Sequence, residues 1–412
     1  MSAASLAAAA PAPRTRGRTL AAIVSGGALI GAVAVAVAAA TQAAPSAVSP
    51  ITPPGNWNGA WVGGLTAAFV LYGLGAYFAW SGQLSLRVAV AVAIAVQAIP
   101  LAAPLLLSKD AYLYWGEARV ITVHHANPYR AAPADYPNDP GLRWISESWR
   151  DEPAPYGPAW ELAATAPAAV VGASAHRAEL AYRVFAVVAL AASIALVARR
   201  TRNAAAVALL GWSPLLAIHF GGGGHSDALM MLFVLGAVTA GTTARGAALW
   251  PIASAFKPFP PILVPLELAQ RRLAVGARWW IGLIASTAAV IGVSTAAFGT
   301  HWMRAGATGA SETSPLGGVH TLMELGLRHR YAVVVAGVVF VVLYAALLRD
   351  AWLRRRARFS LAATLLCLTS SLLRPWYAIW AVALAAIEED PIAAVVAYAL
   401  TGYLLFGDAV QL

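Results

Sequence analysis

Charge is what this chain has least of: Asp, Glu, Lys and Arg together make up 11% of its 412 residues, against 60% hydrophobic ones. That scarcity excludes a soluble globular domain, in which about a quarter of residues are charged. Cysteine is almost missing as well. Cys367 stands alone inside an apolar run, which excludes an intramolecular disulfide and a thiolate metal site. Lys109 and Lys257 are the only lysines among the 28 basic residues, so the arginine excess is read as coding bias and not as phosphate recognition. The ten-residue alternation of a membrane β-barrel is absent, and so is an internal repeat of the kind that transporters carry.

What is present is apolar sequence in runs of about 18–22 residues, long enough to cross roughly 30 Å of hydrocarbon as helix. With a mean hydropathy of +0.67, the chain reads as an all-α polytopic membrane helix bundle of about 11–13 segments. The net charge of +10 comes from short clusters between apolar runs rather than from one face. This is a topology signal, not a nucleic-acid surface.

By the positive-inside rule, Arg14, Arg16 and Arg18 hold a cytoplasmic tail, residues 1–18, ahead of an uncleaved first span, and residues 19–412 form one integral-membrane domain. Spans over 59–80 and 88–107 lead to a main extracytoplasmic loop, 108–178, in which the apolar stretch 158–173 lies in the interface or dips part way rather than crossing. Further segments cover 179–198, 203–221, 227–243, 279–298, 331–348, 360–373 and 392–407, with a second outer loop at 299–329. Residues 247–269 are interrupted by Lys257-Pro258-Phe259-Pro260-Pro261 and flanked by arginine at both ends, which predicts two half-helices broken by proline. Such breaks at membrane depth line protein or a watery cavity.

Acid collects after residue 107. Nine of the 18 acids lie between Asp110 and Glu179, and Tyr112, Tyr114, Trp115, Tyr129, Tyr136, Trp144, Trp149, Tyr156 and Trp160 run through the same region. Flat rings facing C–H surfaces, beside carboxylates that accept from hydroxyls, suit a sugar; the same rings also fit an interfacial aromatic belt. Asp110, His225, Asp227, Lys257 and Arg374 each stand beside a helix break toward the outer side, and costly charges of this kind mark a functional candidate. The plainer alternative is that they snorkel or pair, Lys257 with Asp227 for example, and only hold helices together. As chemistry, a carboxylate can take the proton of an attacking hydroxyl. A lysine or arginine can stabilise charge on a departing phosphate, and the arginine fork fits a phosphate. His225 suits either role, or caps a turn after its four glycines. Asp110, His225 and Asp227 could chelate a divalent cation, the one candidate cofactor, though no short ligand-spacing motif stands behind it.

The order of motifs carries a resemblance. Asp110-Ala-Tyr-Leu-Tyr, Asn127-Pro128-Tyr129, Tyr156-Gly157-Pro158-Ala159-Trp160, Ser213-Pro214-Leu215-Leu216, Gly223-Gly224-His225-Ser226-Asp227, Lys257-Pro258 and Arg374-Pro375-Trp376-Tyr377 follow one another between about Leu105 and Trp380. In this the chain resembles the GT-C superfamily of integral-membrane glycosyltransferases. It is most similar to the actinobacterial polyprenyl-phosphate-mannose-dependent α-1,6-mannosyltransferases that elongate lipomannan-type glycolipids. Two motifs differ, since that family usually has Asn-Pro-Leu and Gly-Ala-His-Asn-Asp where this chain has Ser213-Pro214-Leu215 and Gly-Gly-His225-Ser226-Asp227. The resemblance implies that Asp110 is the general base of the first outer loop and that Lys257 and Arg374, with His225, lie near the donor phosphate.

The expected function is transfer of a sugar, mannose by the resemblance, from a polyprenyl phosphate to a glycolipid or cell-wall glycan acceptor. The expected place is the outer face of the plasma membrane. Tyr112, Tyr114, Tyr129, Tyr156, Asp227, Trp376 and Tyr377 are the expected sugar and acceptor contacts. Membrane lipid is a partner and nucleic acid is not. The rival readings are a transporter or flippase of a lipid-linked or anionic solute and a non-catalytic membrane scaffold.

Overall fold

The computed structural model describes residues 16–43, 57–305 and 313–409. Arg14 and most of the loop between the first two spans lie outside the described residues. Among the described residues the chain is helical, without a strand. The helices are α1 (Arg16–Ala43), α2 (Asn58–Trp80), α3 (Leu86–Ala98), α4 (Asp110–Thr122), α5 (Glu147–Arg150), α6 (Pro158–Val171), α7 (Ala175–Thr201), α8 (Ala204–Gly211), α9 (Pro214–Leu216), α10 (Asp227–Ala240), α11 (Ala244–Ser254), α12 (Val264–Gln270), α13 (Ala277–Phe298), α14 (Gly318–Glu324), α15 (His329–Arg354), α16 (Phe359–Thr369), α17 (Ala378–Glu388) and α18 (Pro391–Leu404).

Six of these segments are long and apolar enough to cross a membrane: α1, α2, α7, α13, α15, and α18 with the turn that prolongs it to Ala409. A seventh is a bent pair, α8 with Pro214–Gly221, turned by 44° at Trp212-Ser213. Four shorter apolar helices complete the bundle, at Leu86–Ala102, Asp227–Ala240, Phe359–Thr369 and Pro375–Glu388. The bend is held by polar side chains: Ser213 Oγ accepts from Leu216 N at 3.4 Å, and Gln97 Nε2 donates to the Gly211 and Ser213 carbonyls at 2.9 and 3.2 Å. Carbonyls freed by a helix break are thereby satisfied inside the bundle, as apolar surroundings demand.

The proline-rich break expected at Lys257 is there: α11 ends at Ser254, a single turn covers Pro260–Ile262, and α12 resumes at Val264. The stretch 158–173 forms α6, whose 14 residues rise only about 21 Å and cannot cross. α6 lies instead against α4 and α7. On α13 and α15 large apolar side chains face outward, Ile281, Ile284 and Val293 on one and Val334, Val338 and Val341 on the other. Such faces are unsustainable in water and read as lipid-facing.

One end of the bundle gathers basic groups. Arg356 and Arg358 reach Asp390 at 3.5 and 3.6 Å, Arg272 donates to the Trp352 carbonyl, Gln270 Oε1 accepts from Ala357 N, and Asn203 Nδ2 donates to Glu389 at 2.8 Å. Arginine clusters far apart in sequence are thus neighbours. The opposite end holds the residues that could do chemistry.

Candidate active site

Three chain turns meet at that end, and a buried arginine joins two of them. Arg183 of α7 donates from Nε to the Gly221 carbonyl at 2.8 Å and from Nη1 to the Ala103 carbonyl at 2.9 Å and to Glu179 at 2.7 Å, and its Nη2 is bonded to the Pro100 carbonyl. Leu106 N donates to the Gly222 carbonyl at 2.9 Å, so the turn before Asp110 and the glycine turn before His225 are stitched together. Gly224 takes a φ of +78°, a left-handed conformation that a side chain would strain, and this carries His225 beneath the start of α4. The third turn is Pro155–Pro158. Gly157 N donates to the Phe256 carbonyl and Ala159 N to the Ala255 carbonyl, and a Cβ at Gly157 would stand 2.1 Å from the Ala255 oxygen. Backbone contact this close fixes Tyr156 beside the Lys257 break.

Asp110 opens α4. Its Oδ1 accepts from Ser108 Oγ at 2.7 Å and its Oδ2 lies 3.2 Å from His225 Nδ1, while about a fifth (21%) of the side chain stays open. Burial alone would raise this carboxyl, but His225 and Ser108, with Lys257 nearby, outweigh it and bring the pKa down to about 2. His225 is fully buried, and burial lowers its pKa against the opposing pull of Asp110. Its ring stacks on Trp376 at 3.6 Å, nearly parallel at 12°. Lys257 Nζ donates to Asp227 Oδ2 at 2.6 Å, and Trp380 Nε1 donates to Oδ1 at 2.8 Å. The ammonium also stands over the rings of Tyr377 and Tyr156, at 4.9 and 5.6 Å.

These groups surround a cavity of about 1180 Å³. Lys109, Asp110, Tyr156, Lys257, Arg374, Trp376, Tyr377 and Asp408 form its polar lining, and Trp250, Val264, Leu283, Val290 and Ile291 of α11, α12 and α13 form an apolar one. Asp110, Lys257, Arg374, Tyr156, Trp376 and Tyr377 were all singled out from sequence and all face this space.

Other expected contacts do not. His225 and Asp227 are fully buried and support the lining through Asp110 and Lys257. Tyr112, Tyr114 and Tyr129 are buried as well: Tyr112 packs by Trp144, Tyr114 meets Ser226 and Trp160, and the Tyr129 hydroxyl donates to the Tyr156 carbonyl. For Tyr112 and Tyr114 the reason is that α4 is buried on every side from Ala111 to Val120, so its rings build the wall instead of facing a ligand, while Tyr129, beyond α4, packs on Phe298. Among the described residues no group of three or more His, Cys, Asp or Glu side chains is placed to hold a metal.

Sequence reasoning passed over Arg183, Lys109, His219 and Asp408. Asp408 carries the same signal as Asp110, an acid at the end of an apolar run. His219 sits inside an apolar run, where nothing but its own polarity marks it.

The family model of alpha-(1->6)-mannopyranosyltransferases, N-terminal domain (MptA_B family), matches residues 21–296. The chain belongs to this family. It is a membrane glycosyltransferase of the mannosyltransferase type, and the matched residues include Asp110, Tyr156, His225, Asp227 and Lys257. Arg374, Trp376, Tyr377 and Asp408 lie beyond the matched stretch and are brought to the same cavity by the fold. No curated protein and no solved structure matches the chain.

Proposed function

We propose that this mannosyltransferase takes mannose from a polyprenyl phosphate and places it on a glycolipid or cell-wall glycan acceptor at the outer face of the plasma membrane. The observation that carries this reading is the two-sided cavity. Two carboxylates, three cations and aromatic rings share one space with an apolar wall built partly from a face of the spanning helix α13, Leu283, Thr287, Val290 and Ile291. A lipid-linked donor needs both, a greasy wall for its chain and cations for its phosphate. Placement of the cavity on the outer side rests on the gathering of arginines at the other end.

In the proposed step the acceptor hydroxyl attacks the anomeric carbon, the new C–O bond forms, and the bond from that carbon to the phosphate oxygen breaks with its electron pair on the leaving phosphate. Asp110 takes the hydroxyl proton. A pKa near 2 does not prevent this, because an alcohol oxygen bonding to carbon turns strongly acidic during attack and a weak base then suffices. His225 is walled off behind Asp110, so the carboxylate is the group that meets substrate, and the imidazole holds it. Lys257 and Arg374 face the negative charge that builds on phosphate. One displacement inverts the centre, so a β-linked donor yields an α-linked product. Purified protein in lipid, given polyprenyl-phosphate-mannose and a mannoside acceptor, is expected to form the longer mannoside and release polyprenyl phosphate. Absence of both products in folded protein would refute the donor assignment.

A further inference from the structure

The cavity has a second acid–imidazole pair. Asp408 Oδ2 lies 3.4 Å from His219 Nε2; the imidazole is fully buried, and the carboxylate, one third exposed (33%), lines the cavity. Both residues stand on π-helical turns, Ala217–Gly221 and Leu405–Ala409, and such turns inside helices often mark functional positions. A π turn re-aims a side chain that regular helix would carry elsewhere. The pair repeats the arrangement of Asp110 with His225: a buried ring behind, a carboxylate facing the space.

The two pairs are joined through one indole. Trp376 stacks on His225 at 3.6 Å and its ring centre lies 5.7 Å from that of His219; the two imidazoles are 5.6 Å apart. The Lys257 side of the cavity is assigned to phosphate and carries no second carboxylate in its lining. Asp408 would repel a phosphate, and it accepts hydrogen bonds from hydroxyls. Trp376 stands beside both imidazoles and lines the same cavity as both carboxylates, and an indole with acids nearby suits a sugar ring, its C–H groups on the face that His225 leaves and its hydroxyls on the acids.

We infer that Asp408, positioned by His219, binds hydroxyls of the acceptor sugar and sets which hydroxyl reaches Asp110. This deepens the proposed function and rests on it for the meaning of "acceptor". A hydrogen bond from a hydroxyl to a charged partner is among the stronger ones, so its loss should cost about ten-fold or more in affinity.

The test uses the full-length protein in lipid nanodiscs with octyl α-mannoside as probe, binding being followed by tryptophan fluorescence and turnover by release of polyprenyl phosphate. Asp408→Asn is expected to raise the mannoside Kd and the acceptor KM by about ten-fold or more, with a smaller fall in kcat at saturating acceptor. His219→Gln should move both in the same direction, and Asp408→Glu should recover part of the loss. Melting temperatures of all variants report folding. A folded Asp408→Asn that binds the mannoside as wild type does overturns the inference, and so does a loss confined to kcat. If wild type binds mannoside in an Asp408-dependent way yet transfers nothing from polyprenyl-phosphate-mannose, the donor assignment fails and Asp408 stands.

Discussion

His225 Nδ1 lies 3.2 Å from the Asp110 carboxylate, and of the two groups the carboxylate alone lines the cavity. The imidazole is sealed between that acid and the Trp376 ring. A base exposed in this way and held from behind should fail as a unit when it loses its charge. Asp110→Asn keeps the shape and the Ser108 contact but cannot take a proton, and turnover should fall by ~10²–10⁴-fold with folding little changed. Retention of more than about a third of wild-type turnover would show that Asp110 is not the base.

The low pKa of Asp110 has its own consequence for pH dependence. A carboxyl lowered to about 2 remains ionised as pH falls through the ordinary carboxylate range, so Asp110 should contribute no acid limb to kcat/KM between pH 5 and about 4. The sign for stability follows: the stabilisation is present above the unfolded carboxylate pKa and is lost only as pH falls toward 2. In His225→Gln the carboxyl loses the partner that lowers it most, and an acid limb should move up into the measurable range. A pH–rate profile identical to wild type in that variant would remove His225 from the role.

Lys257 answers to two demands at once. Its ammonium pairs with Asp227, which is fully buried and also accepts from Trp380, so Lys257→Ala leaves a buried carboxylate short of its charge partner. Breaking such a pair on one side typically costs ~3–5 kcal/mol. Lys257→Met combined with Asp227→Asn removes both charges and should restore much of the melting temperature. If Lys257 also serves the donor phosphate, the folded double variant will still bind polyprenyl-phosphate-mannose more weakly. Arg374→Ala should weaken it too, and Arg374→Lys should recover only part because the guanidinium fork is lost. Unaltered donor affinity in the double variant would reduce Lys257 to a helix clamp.

The break at Lys257, the failure of 158–173 to cross and the meeting of Asp110, Tyr156, Lys257, Arg374, Trp376 and Tyr377 were legible in sequence. Two rest on a local rule, that proline ends a helix and that charge at an apolar boundary needs a purpose; the third rests on Arg199, Arg200 and Arg202, which would lie outside after the next span if 158–173 crossed. What was not legible is which aromatic rings face the ligand. Tyr112 and Tyr114 follow Asp110 directly, yet α4 is buried all round, and only its packing against α6, α7 and the turns of the outer loop decides that. The pairing of Asp408 with His219 spans 189 positions and depends on two π turns, which no local pattern announced.

The same packing of α4 on α6 creates a liability. Glu117 of α4 and Glu161 of α6 are buried, and none of their four carboxylate oxygens has a hydrogen-bond partner. Burial, and for Glu117 the neighbouring Glu161 as well, pushes both carboxyls far above the usual range, Glu161 to about 8. Two such groups cannot both ionise cheaply. Since the folded state holds the proton more tightly than the unfolded chain, the stability they support is complete below the unfolded pKa of about 4.3 and is lost as pH rises to about 8. Detergent-solubilised protein should therefore melt at progressively lower temperature from pH 5 to 8, with Glu161→Gln less sensitive by up to one proton, about 1.4 kcal/mol per pH unit. The amide keeps the volume and can donate to Glu117. Parallel melting curves for wild type and Glu161→Gln across that window would mean that the two carboxyls do not hold a proton between them.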